Sequence, residues 1–568
     1  MRKRSFIANL QVVCITVSAA ITAMQSHADN INTNQIKQAN RQAIEQNNRR
    51  ALQENQRKLN KQLQPKPTKN IDNPEVKEVE AEGNPVLKET HQCLPISGVY
   101  VTETSLLSPK DFEKLTPIDD SCILPEDVNQ LIREITGLYV SKGFVTARIV
   151  LLQPGIYGEL GLEIIEGKIE AIVGESETIN TEMLFPNSVG QPLNLRDLEQ
   201  GIDQANRLQS NKISMRLLPG EYRGGSIIQL SNPQLPRWSS NASIDNHGQE
   251  NTGREVLRAM TVYSSPLGLS DYISFSGSTT LGSNPDIYSR SISTLYSIPY
   301  GYWTYSAFGF YSSYSAETKT NTVFNAHGWS SNIGVRADKT ISRDGNVINT
   351  LSGQFNYKQA KNFLETVQLN ISSQDLAVFS IDYSHFRVLS SGVFSAGLGI
   401  DRGTSFLNAQ THSNAVNNVF TKLRGNITTS YSFLFLEDTY LYQNKIVGQY
   451  SEQHLPGVEW IGISDNSAVR GLDKNNLSAT DGWYFRNTLS RDFPAGPIKF
   501  TPRFGLDYGQ INAGIESGFD KAVGASLGQR ITYKQASFDL EVSKAWVLNS
   551  PEYKQESVLV LARMGIEF

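Results

Sequence analysis

Residues that could perform chemistry are few and scattered in this chain. None of its seven histidines begins a His-Glu-x2-His zinc motif, and it has no Gly-x4-Gly-Lys-Ser/Thr nucleotide loop. One of its three cysteines, Cys14, lies in a segment that we expect to be removed. The sequence therefore predicts no catalytic residue, metal site or cofactor. It argues against the alternative that the protein is an enzyme.

The N-terminus predicts export. Basic residues at 2–4 precede a mostly apolar run over residues 12–21, and the small residues Ser26 and Ala28 follow. This pattern is typical of a secretory signal peptide over residues 1–28, with a buried N-terminal helix as the alternative. No later segment has the ~20 uninterrupted apolar residues of a membrane-spanning helix. A soluble exported protein and an outer-membrane β-barrel both remain open at this point.

Cys93 and Cys122 would be the two cysteines of the exported chain. An even pair in an oxidising compartment is typical of a structural disulfide. The alternative is two buried free thiols. Either interpretation gives the pair a structural role.

Residues 29–64 contain neither glycine nor proline and are rich in Asn, Gln, Lys and Arg. Ile36, Ile44, Leu52 and Leu59 would form one narrow apolar stripe, and a helix this polar needs support from its surroundings. At about 45 Å it would suit a plug through a water-filled barrel, whereas a solvated disordered tail is the alternative. Charges and four prolines mark residues 65–90 as an extended linker.

Two similar units follow, over residues 91–167 and 168–236. Each is predicted as a strand, helices and two further strands. Pro125 opens the main helix of the first unit, and Asn194 caps that of the second. This order predicts two small α+β domains, whose sheet edges could pair with an extended guest strand.

Residues 237–568 show strand-like alternation instead of helical periodicity. Leu351, Phe355 and Tyr357 fall on one face of their segment, with polar residues between them. Other segments alternate less cleanly, since Phe308 and Phe310 share a face with Thr304 and Ser306. A soluble β-sandwich has the same period of two. The length of 332 residues favours a transmembrane barrel of roughly 16 strands with a wet lumen.

The last predicted strand supports the barrel interpretation. Met564, Ile566 and Phe568 share its apolar face, and Arg563 and Glu567 lie on the other face. Barrels recognised by the outer-membrane assembly machinery also end on an aromatic strand residue. We therefore expect Met564, Ile566 and Phe568 to act as the C-terminal barrel signal.

Several motifs then stand in a recognisable order. They are Tyr139-x3-Gly143-Phe144-Val145-Thr146-x-Arg148, Gly190-x-Pro192-Leu193-Asn194, Asp245-Asn246-x-Gly248, Val469-Arg470-Gly471, Gly482-Trp483-Tyr484-x-Arg486-Asn487 and Gly505-Leu506-Asp507-Tyr508-Gly509. In this arrangement the chain resembles the TpsB family, the outer-membrane transporters of two-partner secretion. The motifs extend from the first α+β unit into the predicted barrel.

The resemblance implies two periplasmic POTRA domains, a sixteen-stranded barrel, a plug helix and a long extracellular loop folded into the lumen. In the family, this loop carries a Val-Arg-Gly motif, here Val469, Arg470 and Gly471. The fourth motif position is usually aromatic and is Leu472 here. The family's arginine pairs with an aspartate on the inner wall, which matches Asp507. We expect this pair to fix the loop, because a hydrophobic anchor would have nothing to pack against in a polar lumen.

The implied function is export of a TpsA-type partner exoprotein across the outer membrane, with the POTRA domains in the periplasm. Outer-membrane lipid and the barrel-assembly machinery are the other expected partners. Nucleic acid is not expected, because the net charge is only −4 over 568 residues. The remaining alternatives are a diffusion porin, which needs no guest-binding domains, and a barrel insertase, which typically has more POTRA domains and no plug helix.

Overall fold

The computed structural model describes residues 33–64, 86–88, 91–102, 104–118, 121–233, 235–319, 323–411, 417–514, 518–548 and 555–568. The predicted signal peptide and most of the predicted linker at 65–90 lie outside these residues. Among the helices of the described ranges, none has the length and apolar character to cross a membrane.

The first described element is the long helix α1 (Thr33–Leu63). Its residues are mostly good helix formers, and no glycine or proline interrupts them. At ~1.5 Å per residue it is about 46 Å long. Leu52 and Leu59 are buried, as are the polar residues Asn48 and Arg49. Burial of polar side chains indicates that α1 is enclosed by protein on several sides.

The first α+β domain has a three-stranded sheet in the order β1-β3-β2. Its elements are β1 (Gly98–Val101), α2 (Pro109–Phe112), α3 (Pro125–Ser141), β2 (Arg148–Leu152) and β3 (Glu159–Ile165). Val128, Ile132, Ile135 and Tyr139 of α3 recur every three or four residues and are buried against the sheet. A disulfide joins Cys93 to Cys122, whose Cα atoms lie 5.2 Å apart.

The second α+β domain repeats this plan, with the sheet order β4-β6-β5. Its elements are β4 (Lys168–Val173), α4 (Thr181–Leu184), α5 (Leu195–Ala205), β5 (Ser214–Pro219) and β6 (Gly225–Ser231). The Asn194 side chain caps α5 by accepting a hydrogen bond from Arg196 N. Helix α5 also faces the barrel, where Gln204 Nε2 donates to Thr304 Oγ1 at 3.0 Å and Asp203 lies 2.7 Å from Arg343.

Sixteen antiparallel strands in the described residues close into a barrel. They are β7 (Trp238–Asp245), β8 (Val256–Ser264), β9 (Tyr272–Thr280), β10 (Tyr288–Tyr300), β11 (Trp303–Lys319), β12 (Val323–Arg343), β13 (Val347–Leu364), β14 (Gln374–Leu389), β15 (Gly392–Thr404), β16 (Phe420–Phe435), β17 (Asp438–Tyr450), β18 (Gly482–Arg491), β19 (Ile498–Gly514), β20 (Gly518–Tyr533), β21 (Ala536–Leu548) and β22 (Leu559–Glu567). Two short segments, Val367–Gln368 and Phe493–Ala495, extend this sheet.

Alternating burial separates the two faces of the barrel wall. Leu398 and Met564 are 70% and 60% exposed on the outer face, whereas Ser352 and Asn356 are each 2% exposed on the inner face. An apolar outside and a polar inside are what strands between lipid and a wet lumen require. The predicted architecture of two α+β domains and about sixteen strands is confirmed.

Candidate functional site

Among the described residues, two segments occupy the lumen of the barrel. One is α1, and the other is the connection between β17 and β18 at residues 451–481, which we call the inward loop. This loop contains a 3-10 turn (Gly457–Glu459) and a short ladder between Ile461–Gly462 and Ser478–Ala479. Cavities of about 1480 Å³ and 900 Å³ remain beside α1 and the inward loop.

The inward loop is joined to the barrel wall by the pair predicted from the sequence. Arg470 Nε and Nη2 donate to the two carboxylate oxygens of Asp507, each at 2.7 Å, and Arg470 N donates to the same carboxylate at 3.0 Å. Their side chains are 2% and 0% exposed. Arg470 Nη1 also donates to Ser526 Oγ at 3.1 Å. The geometry is therefore bidentate and deeply buried, which makes it directional.

Glycines of the wall make room for this contact. A Cβ atom at Gly505 would lie 2.1 Å from Arg470 Nη1, and one at Gly524 would lie 2.3 Å from Arg470 O. Gly471 has φ +87°, and a Cβ there would overlap the backbone of Lys544. Only residues without side chains allow the loop backbone to approach this closely. The sequence predicted a role for Gly471 and for the motif around Asp507, but it indicated none for Gly505 or Gly524.

A hydrophobic cluster holds the same part of the loop. The loop residues Ile463, Val469, Leu472 and Leu477 are all buried, and they pack on wall residues that include Tyr484, Ile511, Ala522 and Ala545. Our expectation that a hydrophobic anchor would have nothing to pack against is therefore wrong. The inner wall carries apolar residues at this place, and Leu472 fills an apolar site at the position where the family usually has an aromatic residue.

A second ion-pair site holds the other limb of the inward loop. Glu459 is 3% exposed, and its two oxygens lie 2.6 Å from Lys358 Nζ and 2.5 Å from Lys422 Nζ. Lys422 also lies 3.3 Å from Asp401. Glu459 was not predicted from the sequence, because its lysines are 101 and 37 residues away in the chain and no local motif marks them.

Helix α1 contacts both the inward loop and the barrel. Arg57 makes two hydrogen bonds to the carboxylate of Asp465 in the loop, at 3.2 Å and 3.0 Å. Gln53 Nε2 donates to Trp460 O at 2.6 Å. On the barrel side, Arg258 Nη1 lies 2.7 Å from Glu54 Oε1. These contacts are mostly polar, and water can make equivalent hydrogen bonds to each of the groups involved.

The aromatic residues that broke the predicted alternation lie against α1. Phe310 packs with Leu52, and Phe308 packs with Leu59 and Leu295. Both phenylalanines therefore face the lumen, where the apolar stripe of α1 covers them. The irregular pattern of β11 was a signal for this contact, which could not be interpreted without knowing what lay inside the barrel.

A protein-family model described as haemolysin secretion/activation protein ShlB/FhaC/HecB matches residues 224–531, which is more than half of the chain. The chain belongs to this haemolysin secretion/activation family. POTRA-domain models match residues 94–167 and 168–219, the first of them of ShlB type. The two α+β domains are thus the POTRA domains of this family member.

Curated relatives agree with this assignment. The chain is 42% identical to the hemolysin transporter protein ShlB of Serratia marcescens over 488 residues, which are 85% of this chain and 88% of ShlB. It is 39% identical to the hemolysin transporter protein HpmB of Proteus mirabilis over 497 residues, which are 85% of this chain and 89% of HpmB. Among solved structures, CdiB from Escherichia coli matches with a TM-score of 0.80 at 23% identity, covering 93% of this chain and 98% of CdiB, which shows a shared fold.

Membership makes this chain an outer-membrane transporter of protein secretion, in a family of transporters rather than enzymes. Within the described ranges, no group of His, Cys, Asp and Glu side chains is placed to hold a metal ion. The predicted C-terminal signal residues Met564, Ile566 and Phe568 lie on the outer face, with exposures of 60%, 40% and 72%.

The carboxylate of Glu166 organises part of the first POTRA domain. Glu166 accepts hydrogen bonds from Ser105 N, Leu106 N and Tyr139 Oη at 2.9, 3.0 and 2.8 Å. Burial by itself would raise the pKa of Glu166, but these donors outweigh it and hold the pKa below the usual value for a glutamate. The charged carboxylate thereby ties Ser105 and Leu106 to Tyr139 of α3.

Proposed function

We propose that this protein exports one large exoprotein as an unfolded chain through its barrel lumen, without ATP. The observation that carries the proposal is the content of the lumen: α1 and the inward loop fill it through contacts that are separable from the barrel fold. ShlB and HpmB are named hemolysin transporters, and they are 42% and 39% identical to this chain, against 27% for CdiB of Dickeya dadantii. We therefore propose a haemolysin-type partner.

Recognition would take place in the periplasm by addition of a partner strand to a POTRA sheet. In the second POTRA domain, β4 is covered at its outer edge, because Ile169 N donates to Gln191 O and Gly190 N to Ile169 O, at 2.9 Å and 2.7 Å. Strand β5 is the opposite edge of this sheet. Its free backbone groups can pair with an extended polypeptide regardless of sequence.

Helix α1 would act as the plug and the inward loop as a gate. The polar contacts of α1 allow it to leave the lumen, while Arg470, Asp507 and Glu459 keep the loop on the wall. The partner then threads outward, and its folding outside the cell makes return unfavourable. Folding outside the cell therefore supplies the direction of transport.

Outer-membrane lipid and the barrel-assembly machinery complete the proposed partners. Exposed apolar residues such as Leu398 and Met564 would face the lipid. The outward residues of β22 and the residue that follows it, Phe568, would be recognised by the assembly machinery before the barrel inserts.

Deletion of this protein tests the proposed function. One exoprotein should disappear from the culture medium and remain in the periplasm, and expression of the wild-type protein should restore it. General leakage of small solutes would instead indicate a diffusion porin. Loss of several unrelated barrels from the outer membrane would indicate an insertase. An unchanged set of secreted proteins would contradict the export proposal.

A further inference from the structure

One sector of the inner wall differs in charge from the rest. Within the described residues, the inner faces of β9, β10 and β11 carry no Asp, Glu, Lys or Arg side chain. Six inward hydroxyls define what we call the hydroxyl strip: Ser274, Ser276 and Ser278 on β9, and Ser289, Ser291 and Ser293 on β10. Several of them pair with one another across the strands, as Ser276 does with Ser293 at 2.7 Å and Ser278 with Ser291 at 2.8 Å.

Charged residues begin on both sides of this sector. Arg258 on β8 and Arg336 on β12 face inward next to it. On the wall of β19–β21, Arg503 makes two contacts with Asp539, at 2.6 Å and 2.5 Å. The lumen therefore has one neutral sector and a remaining wall of paired acids and bases.

Helix α1 already rests against the neutral sector. Gln62 Nε2 lies 3.4 Å from Ser274 Oγ, and Leu59 packs with Leu295 and Phe308 at the base of the strip. Arg57 and Glu54 of α1 point elsewhere, because Arg57 pairs with Asp465 and Glu54 with Arg258, whereas Lys58 and Lys61 line the same cavity as the strip. The direct contacts of the helix with the strip and its base are thus uncharged, and the ion pairs of Arg57 and Glu54 lie at other parts of the lumen.

A wall that conducts a polypeptide must bind it at many sites, but weakly at each. Charged side chains in a narrow lumen hold oppositely charged residues through strong, charge-assisted hydrogen bonds, which would stall a moving chain. A serine hydroxyl can donate to a carbonyl or accept from an N–H, so it can satisfy the backbone of an extended chain of any sequence. Exposed aromatic rings likewise accept apolar residues without selecting their shape.

We infer that the hydroxyl strip, together with its apolar base at Leu295, Phe308 and Phe310, is the track along which the exported polypeptide passes. Helix α1 covers the base of this track at rest, and serines above it line the larger cavity. The inference rests on the proposed export function, and it adds the sector of the wall that the extended partner touches.

Site-specific photo-crosslinking tests the track. A photoreactive residue is placed at Ser278 or Ser291, and in a matched variant at Ser490 of β18, which lines the same cavity from the charged wall. The partner carries a tightly folded C-terminal domain, so that it stalls during export. We expect the yield of cross-links to the partner from each of the two strip positions to exceed that from Ser490 by about fivefold, because the passing chain contacts the strip weakly but repeatedly. Equal cross-linking, or more at Ser490, would overturn the track.

A charge-insertion series gives a second readout. Ser278→Asp and Ser291→Asp should each lower export about fivefold or more, because a carboxylate on the lumen wall binds passing basic residues. Ser490→Asp places the same charge on the charged wall and should export normally. A change in the electrophoretic mobility of each variant on heating, measured in the outer-membrane fraction, shows that the variant is folded. Equal loss in all three folded variants would overturn the track. Absence of cross-links at every lumen position, with the partner still exported, would instead contradict the lumen route itself.

Discussion

Arg470 and Asp507 form a buried pair whose two members lie 37 residues apart in the chain. Because both side chains are almost fully enclosed, removal of one would leave the other as an uncompensated buried charge. Arg470→Ala should therefore loosen the inward loop at a cost of about 3–5 kcal/mol. We expect export to fall about tenfold or more while the barrel still inserts in the outer membrane. Normal export by the inserted variant would contradict a role for the pair. The variant Arg470→Lys keeps the positive charge but not the bidentate geometry, so its export shows how much of the effect depends on that geometry.

Glu459 is the corresponding residue on the other limb of the loop. Glu459→Gln keeps the shape of the side chain but leaves Lys358 and Lys422 with one fewer buried counter-charge. We expect greater protease cleavage within residues 451–481 and a several-fold loss of export. The double variant with Lys358→Met should recover part of the protection, because it removes one of the unpaired charges. Cleavage identical to wild type would show that Glu459 does not hold the loop.

Glu166 gives the first POTRA domain a pH-dependent stability. Its pKa is lowered on folding, so its contribution is present above about pH 4.5 and is lost as the pH falls through the folded value. After correction for the intrinsic exchange rate, the protection of the Ser105 and Leu106 amides should therefore be lower at about pH 3.5 than at about pH 5.5. Glu166→Gln should show fast exchange at both pH values. If the ratio of the exchange rates at the two pH values were the same in this variant as in the wild type, the assigned role of the carboxylate would be contradicted.

At the scale of elements, α1 is a helix whose stability depends on its surroundings. Deletion of residues 29–64 should raise single-channel conductance in planar bilayers, because a helix about 10 Å wide no longer fills the lumen. Leu52→Asn with Leu59→Asn should give brief openings, since both side chains lose their apolar contacts with Phe310 and Phe308. The exposed residue Asn60 provides the control, and Asn60→Ala should conduct as wild type. Unchanged conductance after the deletion would count against the plug.

At the scale of the whole molecule, transport through the lumen does not require the barrel wall to open between two strands. Asn241–Asp245 of β7 pair with Arg563–Glu567 of β22 at the closing seam. A Cβ atom at Gly565 would lie 3.6 Å from that of Ser243, which is within the range of a disulfide. The double variant Ser243→Cys with Gly565→Cys should therefore lock the seam when oxidised. We expect equal export with and without reductant, and each single variant serves as control. Export lost on oxidation and recovered on reduction would contradict the lumen route.

The sequence by itself determined the order of the elements, the strand alternation and the Arg470 motif, because each of these is written in neighbouring residues or in fixed local spacing. A period of two defines two faces of a strand, but it does not say what lies against each face. Only the tertiary structure showed that Phe308 and Phe310 face α1, that Leu472 packs on the wall, and that Glu459 meets its lysines. These contacts join residues far apart in the chain, and their energies exist only after the barrel has closed around the helix and the loop.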